Sequence, residues 1–389
     1  MYLKRLLNGK YNDMPVKIAL NCWILRNKNI DGIGYFTINT ISLLIRNNPQ
    51  VHFQILCDKN FTENYFDFPN VSKHHIFPPY RHPLLYVFYM EFILPFFLKK
   101  YKPDVFVSMD GFLSLISNCK QIPLICDINF EHKPEDLKWK NRVYYCYFFK
   151  KFARKAKRII TISEYSKRDI SNFYTIPLDT IDNVSCGING NFYPLPQEKI
   201  IATREKWSSG KPYFFFVGSM HPRKNIKRLI ESFNEFKKQT TADLKLVLAG
   251  SILWQTSDIE ESYTASPYKE DIIFTGRLSD DELKDLLGAA FALSFVPIFE
   301  GFGLPIVEAM QSGIPVICSN VTSMPEVAGD AAILVDPFSV ENITVGMVKL
   351  YTDKSLSLQL IEKGNKQKDQ FSWNRTAHLF MNSINKVIQ

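Results

Sequence analysis

Short apolar runs alternate with amphipathic ones along this chain, and the whole alternation happens twice. That leaves few folds open, because strand-like and helix-like segments in succession build a parallel sheet covered by helices. In the first series, residues 16–21 (VKIALN), 51–57 (VHFQILC), 104–108 (DVFVS), 122–127 (IPLICD) and 158–163 (RIITIS) read as buried strands, and 37–46 and 164–173 as helices. The pattern breaks at 192–197 (FYPLPQ), at two prolines. It resumes with strands at 213–217, 244–249, 272–275, 292–296 and 316–319, and with helices at 225–237, 281–290 and 304–312. Residues 373–388 read as one amphipathic helix. The expected class is therefore α/β, with two doubly wound domains at 1–195 and 196–372. Residues 373–389 form a C-terminal helix that can pack back on the first domain. Two such domains in series leave a central cleft, and ligands of doubly wound sheets bind beyond the carboxyl ends of the strands.

Bulk properties narrow the function. The 389 residues are 46% hydrophobic and 22% charged, the composition of a globular protein with a large core. The seven cysteines stand singly with no C-x-x-C pair, which supports neither a zinc site nor a disulfide framework. With no signal peptide read at the N-terminus, a cytoplasmic location is expected. Residues 1–200 carry a net charge of +10 and residues 201–389 of −2. A basic first half suits an anionic membrane face or lipid phosphate, or is an ordinary basic surface. Nucleic acid is not expected, since no helix-turn-helix, zinc-finger or RNP-like pattern is present. The longest apolar stretch, 84–98, is shorter than a membrane span and is interrupted by Glu91 and Pro95, so a buried or interfacial helix is expected there.

Five loops after strands have the composition for chemistry. In 217–225 (VGSMHPRKN) an apolar strand ends at Gly218-Ser219, and a short loop delivers Arg223 and Lys224 to a helix start. Helix N-termini attract phosphate, and an Arg fork beside a Lys point charge suits a diphosphate. In 299–308 (FEGFGLPIVE) a strand runs into Gly301, Phe302, Gly303 and Leu304. Glu300 is then placed in the loop and Glu308 about one turn into the helix, both able to accept hydrogen bonds from sugar hydroxyls. Gly276, Arg277 and Leu278 form a strand-end turn whose backbone can meet a base. Gly34, within Gly32-Ile33-Gly34, precedes a helix, but the full dinucleotide fingerprint and its acid are missing, which argues against a nicotinamide or flavin enzyme. Asp127, after Cys126, ends a first-domain strand. Each loop alone also fits a plain turn.

Together these segments resemble the family 4 glycosyltransferases. FEGFGLPIVEAMQSGIPVICSN, with Glu300 and Glu308, matches the family's Glu-x7-Glu motif, and MPEVAGDAAILVDP, VGSMHPRKN, FTGRLSDDEL, GIGYF, ICDINFEHKPEDL and ITISEYSKRDI are also similar to family segments. The resemblance implies the GT-B fold, two Rossmann-like domains facing a central cleft, the first binding acceptor and the second a nucleotide sugar. It implies that Glu308 binds the donor ribose and that Glu300 with the Gly301–Leu304 amides holds the transferred sugar. Lys224, helped by Arg223, neutralises the leaving diphosphate, and the 276–278 backbone meets the base. It further implies retention of anomeric configuration without a metal cofactor, consistent with the absence of any Asp-x-Asp pair.

Two departures stand out. Gly218-Ser219 replaces the Gly-Arg of many relatives, so the second cation is expected from Arg223. Cys126-Asp127 replaces a His-Asp, which makes Asp127 the substitute and leaves His132, in the following loop, as a further candidate. The expected function is hexose transfer, with GDP-mannose as first donor and a UDP-hexose or dTDP-rhamnose as alternative. The acceptor is a saccharide or lipid-linked saccharide of surface polysaccharide synthesis. A non-catalytic sugar-nucleotide-binding protein of the same fold is the other class. The stretch 138–158 (KWKNRVYYCYFFKKFARKAKR) fits either a helix lying on an anionic membrane at its inner face or one with a packed aromatic face and solvated lysines.

Overall fold

A computed structural model describes residues 15–26, 30, 32–57, 65–75, 83–188, 190–251 and 257–389. The chain divides into two compact units, Met1–Gly187 with Trp373–Gln389, and Ile188–Ser372.

The first unit is built on a five-stranded parallel sheet of order β3-β2-β1-β4-β5, from β1 (Lys17–Asn21), β2 (His52–Cys57), β3 (Val71–His75), β4 (Val105–Ser108) and β5 (Gln121–Pro123). The inner strands are buried almost end to end, which is why they read as unbroken apolar runs. β3 is an edge strand of sequence VSKHH, and its polar side chains hid it from an apolar-run search. β5 stops at Pro123, short of the expected 127, although Leu124 N–H still donates to Ser108 O at 2.8 Å and Ile125 N–H to Ile160 O at 2.9 Å. A parallel pair, β6 (Ile159–Thr161) and β7 (Ile181–Asn183), joins through the Leu124–Ile160 bridge.

Two helical segments of this unit carry aromatic sequence. Residues 83–101 form one continuous helical run, Pro83–Phe88, a π turn at Tyr89–Ile93, then Leu94–Tyr101. The π turn accommodates Pro95, which cannot donate within an α-helix and would clash with the preceding turn. The second segment, Trp139–Lys155, packs Tyr144, Phe149 and Phe152 into the core beside Tyr89, Met90 and Leu94. No helix among the described residues is long and apolar enough to cross a membrane.

The C-terminal helix Trp373–Ile388 closes this unit against the helix Gly32–Asn47, with Phe36 and Trp373 rings 5.8 Å apart. Gly187 is required there, since a Cβ would fall 2.3 Å from the Trp373 nitrogen. Asp182 anchors the same helix: its carboxylate accepts from Arg158 Nε at 2.6 Å, Ser383 Oγ at 2.7 Å and Lys386 Nζ at 2.8 Å.

The second unit has a six-stranded parallel sheet of order β10-β9-β8-β11-β12-β13. Its strands are β8 (Tyr213–Val217), β9 (Lys245–Ala249), β10 (Ile272–Gly276), β11 (Ala292–Phe295), β12 (Val316–Ser319) and β13 (Ala332–Val335). The proline stretch near 194 belongs to this unit and is packed. Leu195 lies over Gly288, where a Cβ would come within 2.7 Å of it, and Pro194 lies over Gly313. The division at 187/188 thus precedes the composition break by several residues.

Burial raises the Asp182 carboxyl, but hydrogen bonds from Arg158, Lys386 and Ser383 outweigh it and lower it to about 2. The folded value lies below the unfolded one, so this contribution is complete above about pH 4 and is lost as pH falls toward about 2. Asp182→Ala is expected to cost about 2 kcal/mol at neutral pH. It should also expose the C-terminal helix to protease. Melting and limited proteolysis at pH 7 and low pH check both, and wild-type behaviour would contradict the anchor.

Candidate functional site

β8 is followed by Gly218, and β9 by Gly250, in a very close backbone approach: a Cβ on Gly250 would fall 1.8 Å from the Gly218 carbonyl oxygen. This crossing starts the Gly218–Asn225 loop, which continues through Ser219 and Met220 into a 3-10 turn at Pro222–Lys224. His221 caps that turn, its Nδ1 accepting the Arg223 N–H at 3.3 Å. Asn225 follows in the left-handed region at φ 63°, an uncommon conformation for a residue with a side chain. Its side-chain amide offsets the strain by donating to Val296 O at 3.0 Å and Pro337 O at 2.7 Å, both buried bonds. The turn is thereby fastened to the segment after β11, and Ile298 N–H donates to Arg223 O at 2.8 Å.

This fastening brings three charged side chains together. Arg223 Nη1 donates to Glu300 Oε1 at 2.7 Å and to Phe299 O at 3.0 Å, and Lys224 Nζ donates to the same Glu300 oxygen. Lys224 is only 8% exposed and lies 5.3 Å from the Phe295 ring centroid. Burial opposes the Glu300 charge, yet Lys224 and then Arg223 overcome it and hold its carboxyl below the ordinary value. Two cations against one carboxylate leave a net positive site. The Glu300 backbone is also held, since Ser323 Oγ bonds the carbonyls of Glu300 and Phe302, each at 2.9 Å.

The loop Gly301-Phe302-Gly303 then enters the helix Leu304–Gln311, with Gly303 at φ 101°, where a side chain would be strained. Glu308 lies about one turn into that helix. It keeps some solvent contact, but burial, reinforced by Asp280, pushes its carboxyl up to about 7. Asp280 opens the helix Asp280–Gly288, capped by Ser279 and Glu282 in a reciprocal pair. The preceding turn holds Gly276 at φ 71°, exposed Arg277 and Leu278, and the Gly276 carbonyl accepts from Gly250 N–H at 2.9 Å. Gly218, Ser219, Arg223, Lys224, Gly276–Leu278, Glu300–Leu304 and Glu308 therefore follow the carboxyl ends of strands in a single sheet.

Asp127 and Gly34 belong to the first unit. Asp127 lines a pocket of about 280 Å³ with Trp23, Asp110, Cys126, Phe130 and Tyr145. Its Oδ1 accepts the Asn129 N–H at 3.0 Å. Asp110 receives Asn21 Nδ2 at 3.0 Å and Ser108 Oγ at 2.7 Å. Sequence reasoning passed over Asp110, although it stands two residues beyond β4, much as Asp127 stands after β5. Gly34 needs correcting: it is buried within the first turn of the helix Gly32–Asn47, not in a loop, and the neighbouring Ile33 side chain lines the pocket. The helix begins five residues before the expected start at 37, and the Thr37 hydroxyl donates to Ile33 O within it at 2.9 Å. His132 pairs with Asp169 at 2.9 Å and is not among the pocket-lining residues.

Two doubly wound units, each gathering polar side chains at the carboxyl ends of a parallel sheet, define a GT-B fold. Residues 197–367 match the glycosyl transferases group 1 family and residues 30–191 match glycosyltransferase family 4. The chain belongs to these family 4, group 1 glycosyltransferases. It is 32% identical over 219 residues to O-antigen chain mannosyltransferase B of Escherichia coli, covering 56% of this chain and 58% of that protein. It is 30% identical over 254 residues to the serotype-specific mannosyltransferase WbdA of Escherichia coli, covering 64% of this chain and 31% of that protein. The matches thus span little more than half of the first relative and about a third of the second. Among solved structures, sucrose-phosphate synthase from Thermosynechococcus elongatus superposes with a TM-score of 0.76 at 17% identity, covering 95% of this chain and 98% of that one.

Glu300→Gln should remove the carboxylate charge that pairs with the buried Lys224 ammonium. The expected cost is about 3 kcal/mol of unfolding free energy, the scale of breaking a buried ion pair. Urea unfolding measures it, and an unchanged midpoint would show that the cations do not depend on Glu300.

Proposed function

We propose that this protein is a retaining mannosyltransferase that moves mannose from GDP-mannose to a saccharide or lipid-linked saccharide acceptor in surface polysaccharide synthesis. The carrying observation is the Arg223–Lys224–Glu300 cluster at the β8 and β11 ends. The names of the similar Escherichia coli proteins support the sugar.

As the donor C–O bond breaks, positive charge grows on the sugar and negative charge on the β-phosphate. Lys224 and Arg223 supply fixed cations for the phosphate, so stabilisation requires little reorganisation. Glu300 and the amides of Gly301, Phe302, Gly303 and Leu304 position the sugar. Glu308 accepts hydrogen bonds from the donor ribose, while the Gly276, Arg277 and Leu278 backbone meets the base and Gly218-Ser219 leaves room for the diphosphate. Attack on the face the phosphate leaves, with the phosphate accepting the acceptor proton, retains configuration without an enzyme nucleophile. The side-chain cations take the place of a divalent metal in this scheme. The enzyme works in the cytoplasm, at the inner membrane face where a lipid-linked acceptor is presented. A UDP-hexose or dTDP-rhamnose is the alternative donor.

Lys224→Ala is expected to lower transfer by about 2–4 kcal/mol in activation free energy, the scale of losing one charge-stabilising group. Steady-state kinetics with GDP-mannose, with and without EDTA, test this. Near-normal turnover by the variant would remove Lys224 from the mechanism, and loss of wild-type activity in EDTA restored by Mn²⁺ would refute the metal-free scheme.

The Glu308 carboxyl titrates near 7 and becomes the stronger acceptor as it ionises. Donor affinity should therefore tighten as pH rises from about 6 to about 8, and Glu308→Gln should flatten the profile. Calorimetry across that range decides it; a parallel pH dependence in both proteins would disprove the ribose contact.

A further inference from the structure

Two neighbouring helices of the first unit turn apolar side chains outward. In 83–101, Leu85, Phe88, Phe92 and Phe96 are exposed, Phe92 at 63% and Phe96 at 71%. Phe88, Phe92 and Phe96 follow one another at a spacing of four, close to one turn of this helical run. Phe88 and Phe92 stack at 5.4 Å. The sole acid of this segment, Glu91, is engaged with a neighbouring loop. Its carboxylate accepts the N–H groups of Leu115 at 2.9 Å and Ile116 at 3.1 Å, so it braces that loop while Ile116 stands 62% exposed. Lys99, Lys100 and Lys102 follow, all exposed.

The helix Trp139–Lys155 packs beside it through Tyr86 and Tyr144, 5.4 Å apart. Its outward residues are Trp139 at 67% exposure, Val143 and Tyr147, each four positions on. Six of its seventeen residues are Lys or Arg and none is acidic. Lys151 lies 3.7 Å from the Tyr147 ring centroid and Lys140 lies 5.8 Å from that of Trp139. Aromatic bodies at the apolar level with long cationic side chains extending past them are the composition of an interfacial helix.

We infer that these two helices, through Phe88, Phe92, Phe96, Ile116, Trp139 and Tyr147, form a docking face for an anionic lipid bilayer. A second copy of the chain is the poorer occupant. A two-fold contact through this face would set the cationic helix against its own like charges. Anionic headgroups supply the complementary sign, and the Phe rings replace water with acyl chain. This assignment deepens the proposed inner-membrane placement and rests on it.

The test uses the full-length protein with vesicles of equal parts phosphatidylglycerol and phosphatidylcholine, and with phosphatidylcholine alone. Wild type should co-sediment with the anionic vesicles and weakly with the neutral ones, the more so as salt is lowered. Phe92→Asp with Phe96→Asp should lower the partition by about tenfold or more. Lys140→Glu with Lys151→Glu should lower it and reduce the salt dependence. Melting temperature and transfer to a water-soluble acceptor should stay at wild-type levels in both. Wild-type protein that ignores anionic vesicles refutes membrane placement itself. Wild-type binding that both variants retain refutes this face while leaving the placement standing. A wild-type dimer that the Phe variants split, with no vesicle binding, assigns the face to a second copy. Failure of transfer in wild type bears on the proposed reaction instead.

Discussion

A buried ammonium ion needs a counter-charge, and Lys224 finds it in Glu300, 76 residues away in sequence. The rest of the second unit's site follows from that pairing. It requires the end of β8 and the segment after β11 to meet, which the parallel sheet arranges by making β11 the neighbour of β8. It requires the turn to hold its shape, which Asn225 arranges by anchoring to Val296 and Pro337. It draws Arg223 onto the same carboxylate, two cations on one anion. The result is a cationic corner whose side chains are already held in place.

The same economy of strand ends governs the first unit. Asn21 at the end of β1, Ser108 at the end of β4 and Asp110 just beyond it form one hydrogen-bonded group, of which Asp110 lines the aromatic pocket. The C-terminal helix completes this unit rather than the one that precedes it in sequence, and Asp182 is the node that holds it. The second unit is thus inserted in sequence within the first, with Gly187 and Trp373 in direct contact where the first unit ends and is resumed.

Charge is segregated as strongly as hydrophobicity. The basic excess of residues 1–200 is concentrated on helices such as Trp139–Lys155, which bears no acid. The second unit spends its cations differently, pairing Lys224 and Arg223 with Glu300.

Much of this was legible from residue order alone. The inner strands of both sheets were, because burial on both faces demands unbroken apolar runs. The helix at 373–388, with apolar residues repeating on one face, was legible for its periodicity. The loops around Lys224 and Glu300 were recognisable from glycines and charges placed after strands. The edge strand β3 escaped because its exposed side carries polar residues that break the apolar run. The early start of the helix at Gly32 escaped because glycines there read as a loop. Local sequence determined which elements form, since periodicity and turn chemistry act over a few residues. The partners were decided by tertiary structure: Glu300 with Lys224, Asp110 with Asn21, Asp182 with Lys386, Glu91 with the 115–116 amides. Such pairs join positions tens to hundreds of residues apart, and no local preference of the chain specifies which distant charge will be brought within hydrogen-bond reach.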